Sequence, residues 1–217
     1  VRDLRTRLAN RNEEIHRIEL LAEITRLRQL ACHPRLVLAD WPHTGSKLRY
    51  LEETLAELLP RGHRALLFSQ FVGHLQLVRT ALAARGHTSL YLDGSTPERE
   101  RARLVQRWQT GDDALFLISL KAGGTGLHLP GADYVFHLDP WWNPAAEDQA
   151  SDRAHRIGQH RPVTIVRLLA QGTVEEQVAA LHTEKRELAL SLLQETGARA
   201  WDTRELAAYL GLSPSAH

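Results

Sequence analysis

Residues 116–159 read FLISLKAGGTGLHLPGADYVFHLDPWWNPAAEDQASDRAHRIGQ. The apolar, β-branched run Leu115–Leu120 has the length of a buried strand. Gly123, Gly124 and Gly126 make the next segment a glycine-rich loop. A second apolar run, Tyr134–Leu138, reads as another buried strand. Asn143-Pro144 then opens a helix, with Asn143 as N-cap and Pro144 at the first helical position. On that helix Gln149, Arg153 and Arg156 are spaced i, i+4, i+7, which places them on one face. Ala150, Ala154 and Ile157 form the apolar stripe that seats it on the sheet.

Two guanidiniums on a fixed platform match phosphate oxygens, because each is always charged and carries a rigid fork of donors. They also suit the charge that develops on a transferring phosphoryl group. The same spacing fits a solvated basic face paired with Glu147, Asp148 and Asp152, since exposed arginines are the norm. Periodicity does not choose between the two.

Outward from this stretch, strands and helices alternate. Residues 65–68 and 89–92 are short apolar runs, and helical patterns cover about 71–85 and 96–108. Val163–Leu169 reads as a further strand. Such alternation predicts a parallel sheet sandwiched by helices, with right-handed connections. Binding groups then collect at the carboxyl ends of the strands: Ser69-Gln70, Asp93–Thr96, Ser119–Gly126 and Asp139–Asn143. In the loop SLKAGGTG (119–126), glycines permit close backbone approach to a phosphate and leave amides free as donors. A tight turn explains the same glycines, and turn and cap chemistry explains Asp93–Thr96 completely.

The flanks are helical. Residues 1–31 carry leucine and isoleucine at near-helical spacing and stop before Pro34. Ser46 reads as the N-cap of a helix with Leu48, Leu51, Leu55 and Leu58 on its apolar side. Thr173 caps a helix to about residue 195, and 203–210 is a last short helix before a frayed tail. The division expected is a lead-in over 1–45, an α/β lobe over 46–172 and a C-terminal brace over 173–217.

A chain of 217 residues with 43% hydrophobic and 24% charged content suits one or two globular domains. A net charge of +1 gives no global basic field, so any DNA contact must come from a local patch. The single cysteine, Cys32, excludes an internal disulfide and points to an intracellular, reducing setting. The histidines show no zinc spacing with a second cysteine, so no metal site is expected. No apolar run approaches the ~20 residues of a membrane span. Val1 and the lack of any methionine fit a segment of a longer protein.

GGTGLHLPGADYVFHLDPWWNP followed by QASDRAHRIGQ resembles motifs V and VI of the Swi/Snf-type DNA-dependent ATPases of helicase superfamily two, in a bacterial-looking form. FSQF (68–71) resembles motif IV, LRQLACHPRLV (27–37) the entry to the second motor lobe, and GTVEEQVAALHTEKREL the brace helix that follows motif VI. The resemblance implies a RecA-like lobe over about 25–212. It implies that Ser69, Gln70, Ser119, Lys121, Gly123 and Trp142 face double-stranded DNA, and that Gly124 and Gly126 lie toward the nucleotide. It further implies that Arg153 and Arg156, with Gln149, act as fingers on the γ-phosphate of ATP. Where the common family form has leucine and asparagine, this chain has Thr125 and His128.

A complete motor also needs a phosphate loop ending in Gly-Lys-Ser/Thr and an acidic pair for Mg2+. Here the lysines are Lys47, Lys121 and Lys185, none follows a glycine, and no Asp-Glu dipeptide occurs. The expectation is a second lobe that works with ATP and Mg2+ held by an N-terminal lobe of the same parent, and that is inactive alone. The cytoplasm or nucleoid is the expected location if the chain is bacterial. A non-enzymatic nucleic-acid or protein-binding module with the same fold is the alternative, and an RNA-helicase lobe the third reading.

Overall fold

A computed structural model describes residues 13–123, 127–154 and 161–181. Five strands, β1 (Ala65–Ser69), β2 (Leu90–Leu92), β3 (Leu115–Ser119), β4 (Tyr134–His137) and β5 (Thr164–Arg167), form one sheet in the order β2-β3-β1-β4-β5. Every pairing is parallel, and Ser69 lies opposite Ser119 at the carboxyl ends of β1 and β3. Because β3 inserts beside β1 and the chain then crosses to β4, the loops after β3, β1 and β4 become neighbours at mid-sheet. This is where a doubly wound sheet opens a crevice.

Helices cover both faces. Along β1 the side chains alternate. Leu66 and Phe68 pack with Phe116, Ile118, Trp108, Ala150 and Ala154 on one face. Ala65 and Leu67 pack with Leu51, Leu55, Leu75, Val78 and Leu82 on the other. The second face is closed by α2 (Ser46–Leu58) and α3 (Val72–Ala84), the first by α4 (Glu98–Thr110) and α6 (Pro144–Ser151). α1 (Glu13–Cys32) leads into the sheet, and the four-residue α5 (Leu120–Gly123) follows β3 directly. Each fully buried large apolar side chain stabilises by about 1.5–3 kcal/mol, and in β1 and β3 all five positions are buried.

Several boundaries differ from the sequence expectation. Leu120 opens α5 instead of closing β3. The N-cap of α2 is Gly45, not Ser46. Gly45 N–H donates to His33 Nε2 at 3.1 Å, and a Cβ built on Gly45 would meet His33 Cδ2 at 2.8 Å; this approach admits only glycine and shifts the helix start. Asn143 does cap α6, its Oδ1 accepting from Ala145 N at 3.1 Å with Pro144 next. Thr173 caps the helical residues 174–181 through Oγ1 and Glu175 N, 3.2 Å. The expected remainder of that helix and the 203–210 helix lie outside the described residues. Among the described residues no helix is long and apolar enough to cross a membrane.

α6 is seated on β4 partly by a buried imidazole. His137 Nε2 donates to Ser151 Oγ at 2.9 Å, while Ser151 Oγ donates to Glu147 O at 3.0 Å. Burial pushes the His137 pKa down from 6.5 to about 4, with Glu147 opposing. The unfolded state therefore binds more protons between those values, and stability falls as pH drops through the window. His137 is expected to remove about 2 kcal/mol of unfolding free energy by about pH 5 relative to neutrality. Urea titrations at both pH values, on the native chain and on His137→Phe, check this. Equal pH dependence in the two would exclude His137 as the source.

Candidate functional site

The rim is built on a buried carboxylate. Asp139, just beyond β4 and 1% exposed, accepts from Ser69 Oγ and from Gln70 N at 3.2 Å. His74 Nδ1 of α3 stands 3.9 Å from the same carboxylate. Burial works against the Asp139 charge, yet His74, Ser69 and Lys47 together hold its pKa below the usual carboxylate value. Asp139 thus ties the carboxyl end of β1 to that of β4.

Behind it lies a second ionic cluster. Lys47 Nζ donates to Leu138 O at 2.8 Å and lies 2.6–2.7 Å from both oxygens of Glu175. Cys32 Sγ donates to Glu175 Oε1 at 3.6 Å, and Ala170 N to Oε2 at 2.8 Å. Burial raises the Cys32 thiol well above its ordinary pKa, so it serves here as a neutral donor. The ligand-capable atoms of Cys32, His74 and Asp139 lie within 4.8 Å of one another, a grouping that sequence spacing did not reveal. Its one carboxylate, Asp139, and the neighbouring Glu175 stand beside Lys47 and Arg28, so it reads as a charge-compensated core cluster.

Arg28 is 2% exposed. Its Nη2 donates to Pro140 O, which also accepts from Gln70 Nε2 at 3.3 Å. Its Cζ sits 4.7 Å from the Trp142 ring centroid and 5.6 Å from that of Phe71. A desolvated guanidinium over an aromatic face is worth about 2 kcal/mol. Burial lowers its pKa, opposed by Asp139. One ring face of Trp142 is therefore occupied by an internal cation.

The expected DNA contacts separate into two groups. Gln70 and Trp142 are partly exposed and Lys121 is exposed. Ser69 and Ser119 are 0% and 1% exposed, so both side chains lie inside the lobe, that of Ser69 on the Asp139 carboxylate. The backbone of Gly123 closes α5. Gly124 and Gly126 lie outside the described residues. The short helix α5, which carries Lys121, is anchored by Arg101 Nη1, which donates to Ala122 O at 2.9 Å. Gln109 Nε2 holds His128 O at 2.9 Å. No pattern in the sequence marked Arg101 or Gln109 for this task.

Among the described residues, Gln149 and Arg153 do not share the face expected of them. α6 ends at Ser151, and the next amides bond three residues back, Arg153 N to Ala150 O and Ala154 N to Ser151 O, at 3.3 and 3.1 Å. This tighter turn rotates Arg153 inward. Gln149 is exposed, whereas Arg153 is 3% exposed, with Leu127 O 3.5 Å from its Nη1 and Leu129 N bonded to its carbonyl at 3.2 Å. Arg156 lies outside the described residues.

Residues 46–158 match a family model described as the helicase conserved C-terminal domain. The chain belongs to that family. The helicase C-terminal domain here is 42% identical over 145 residues to the chromatin-remodeling ATPase INO80 of Cryptococcus neoformans, covering 66% of this chain and 8% of that protein. It is 34% identical over 204 residues to YwqA, a candidate ATP-dependent helicase/translocase of Bacillus subtilis, covering 91% and 22%. The Sulfolobus solfataricus SWI2/SNF2 ATPase core, solved in complex with double-stranded DNA, superposes with a TM-score of 0.74 at 28% identity, covering 88% of this chain and 41% of that one. The lobe is thus of the Swi/Snf type and RecA-like in fold, and the chain spans less than a quarter of the curated relatives it matches here. Those relatives are fungal and bacterial, so the likeness does not assign this chain to bacteria.

Proposed function

We propose that this helicase C-terminal domain is the second motor lobe of an ATPase that translocates on double-stranded DNA. The observation that carries the reading is the mid-sheet rim, where Gln70, Lys121 and Trp142 follow three adjacent strands, β1, β3 and β4, above a buried network. Likeness to a motor core solved with double-stranded DNA supports the same partner here. Contacts of this kind grip the phosphate backbone without reading bases, as a tracking motor requires.

ATP with Mg2+ belongs to an N-terminal lobe of the parent, which supplies the phosphate loop that this chain lacks. Arg156 reaches the γ-phosphate as the finger, and Gly124 and Gly126 line the nucleotide side. Arg153 and Gln149 complete the finger group, Arg153 by fixing the loop at Leu127. Closure of the two lobes over ATP and reopening after hydrolysis moves one lobe along the strand. The isolated segment is inactive, and the parent works inside the cell, where its DNA lies.

The test is ATP hydrolysis by the full-length protein with and without double-stranded DNA, alongside DNA affinity over a salt series for Lys121→Ala. Double-stranded DNA should raise the rate more than RNA does. The lysine variant should bind more weakly, with a log–log salt slope smaller by about one. Absence of any DNA stimulation would hand the fold to a binding-module role. An unchanged salt slope would remove Lys121 from the DNA face.

A further inference from the structure

Arg28 belongs to none of the contacts just assigned, yet from the lead-in helix it touches both loops of the rim. Gln70 and Phe71 follow β1, whereas Pro140 and Trp142 follow β4. The Arg28 guanidinium meets the ring of Phe71 on one loop and the ring of Trp142 on the other, and it donates to Pro140 O, the acceptor that Gln70 Nε2 also uses. Its Nε finds no hydrogen-bond acceptor among the described residues.

A buried cation with an unsatisfied N–H is a costly way to fill space, and a methionine or leucine would fill it at less cost. What no apolar side chain can do is bind a carbonyl and set a cation over two rings at once. That needs a planar fork, and lysine lacks it too. Four residues further on, Cys32 fastens the end of the same helix to Glu175. The helix is therefore joined to the lobe at two buried points, one of them directly under the rim, and any change in its angle is delivered to Gln70 and Trp142.

We infer that Arg28 is a positioning residue for double-stranded DNA: it fixes the spacing of Gln70 and Trp142 and couples both to the orientation of the lead-in helix. The inference rests on the DNA reading of the rim. Trp142 keeps its partial exposure while Arg28 backs its ring, so the indole is offered to the partner at a set angle.

The experiment uses the full-length protein with Arg28→Lys and Arg28→Met. Four quantities are measured: the duplex concentration that half-stimulates ATP hydrolysis, the KM for ATP, the DNA-free rate and the melting temperature. Both variants should raise the half-stimulating DNA concentration about tenfold, with KM for ATP and the DNA-free rate unchanged. A deficit in the lysine variant assigns the effect to the planar fork and not to charge. An unchanged DNA requirement in both variants overturns the inference. So does a rise in it that simply tracks a lower melting temperature and a higher KM for ATP, which is general loosening. If the unmodified protein itself shows no DNA stimulation, the DNA reading of the rim has failed, a result visible before either variant is made.

Discussion

In the full-length protein, Arg156→Ala is expected to lower DNA-stimulated ATP turnover by about 10³- to 10⁵-fold and to leave duplex affinity unchanged. The transferring phosphoryl group carries its charge on equatorial oxygens, and positioning plus charge stabilisation is nearly all that a protein can contribute. A guanidinium delivered by a second lobe acts only when the lobes close, so its loss falls on the chemical step and not on DNA binding. Arg156→Lys keeps the charge and loses the bidentate fork, so it should recover only a small part of the rate. Single-turnover hydrolysis at saturating duplex, set beside DNA titrations, reads both quantities. Near-normal turnover in the alanine variant would return Arg156 to an ordinary charged surface. Arg153 makes an instructive contrast. Being buried against Leu127 O, it should lose turnover together with local stability when truncated, whereas a true finger loses turnover alone.

That contrast shows where sequence reading reached and where it stopped. The continuous apolar runs of β1 and β3 and the Asn143-Pro144 start of α6 were legible because strand burial and helix capping show in a short window of sequence. The rim was legible because parallel topology dictates it. The inward turn of Arg153 was not, since an ideal helical projection continues past Ser151 while the chain tightens there. Ser69 and Ser119 were expected to face DNA on the resemblance alone, which says nothing of the Asp139 carboxylate that accepts from Ser69 inside the protein. Least legible was the buried cluster. Lys47 meets Glu175 across 128 residues and Arg28 meets Pro140 across 112, and no periodicity encodes such pairings. In sequence Lys47 and Glu175 look like ordinary surface charges, the former beside a helix start and the latter in the first turn of a helix.

That pair makes the second large effect. Glu175→Ala is expected to destabilise the lobe by about 3–5 kcal/mol, because it leaves the Lys47 ammonium buried without its counter-charge. Glu175 is 0% exposed and Lys47 5%, so water cannot take the carboxylate's place, and Ala170 N loses its acceptor as well. Lys47→Met should cost less than Glu175→Ala, since the methionine stem fills the same channel, but it strands the carboxylate in turn. The double replacement Lys47→Met with Glu175→Leu should recover much of the loss, as apolar substitutes for a buried pair often do. Denaturant midpoints of the native lobe, of Lys47→Met and Glu175→Leu singly, and of the two together give the coupling directly. A Glu175→Ala lobe within about 1 kcal/mol of the native one would mean that solvent reaches the pair and that its burial does not govern stability. The functional consequence follows from Leu138 O, which Lys47 holds at 2.8 Å one residue before Asp139. A double variant that regains stability without that bond should still hold the loop after β4 less firmly. Restored folding with weakened DNA stimulation would then separate what the ion pair does for the fold from what it does for the rim.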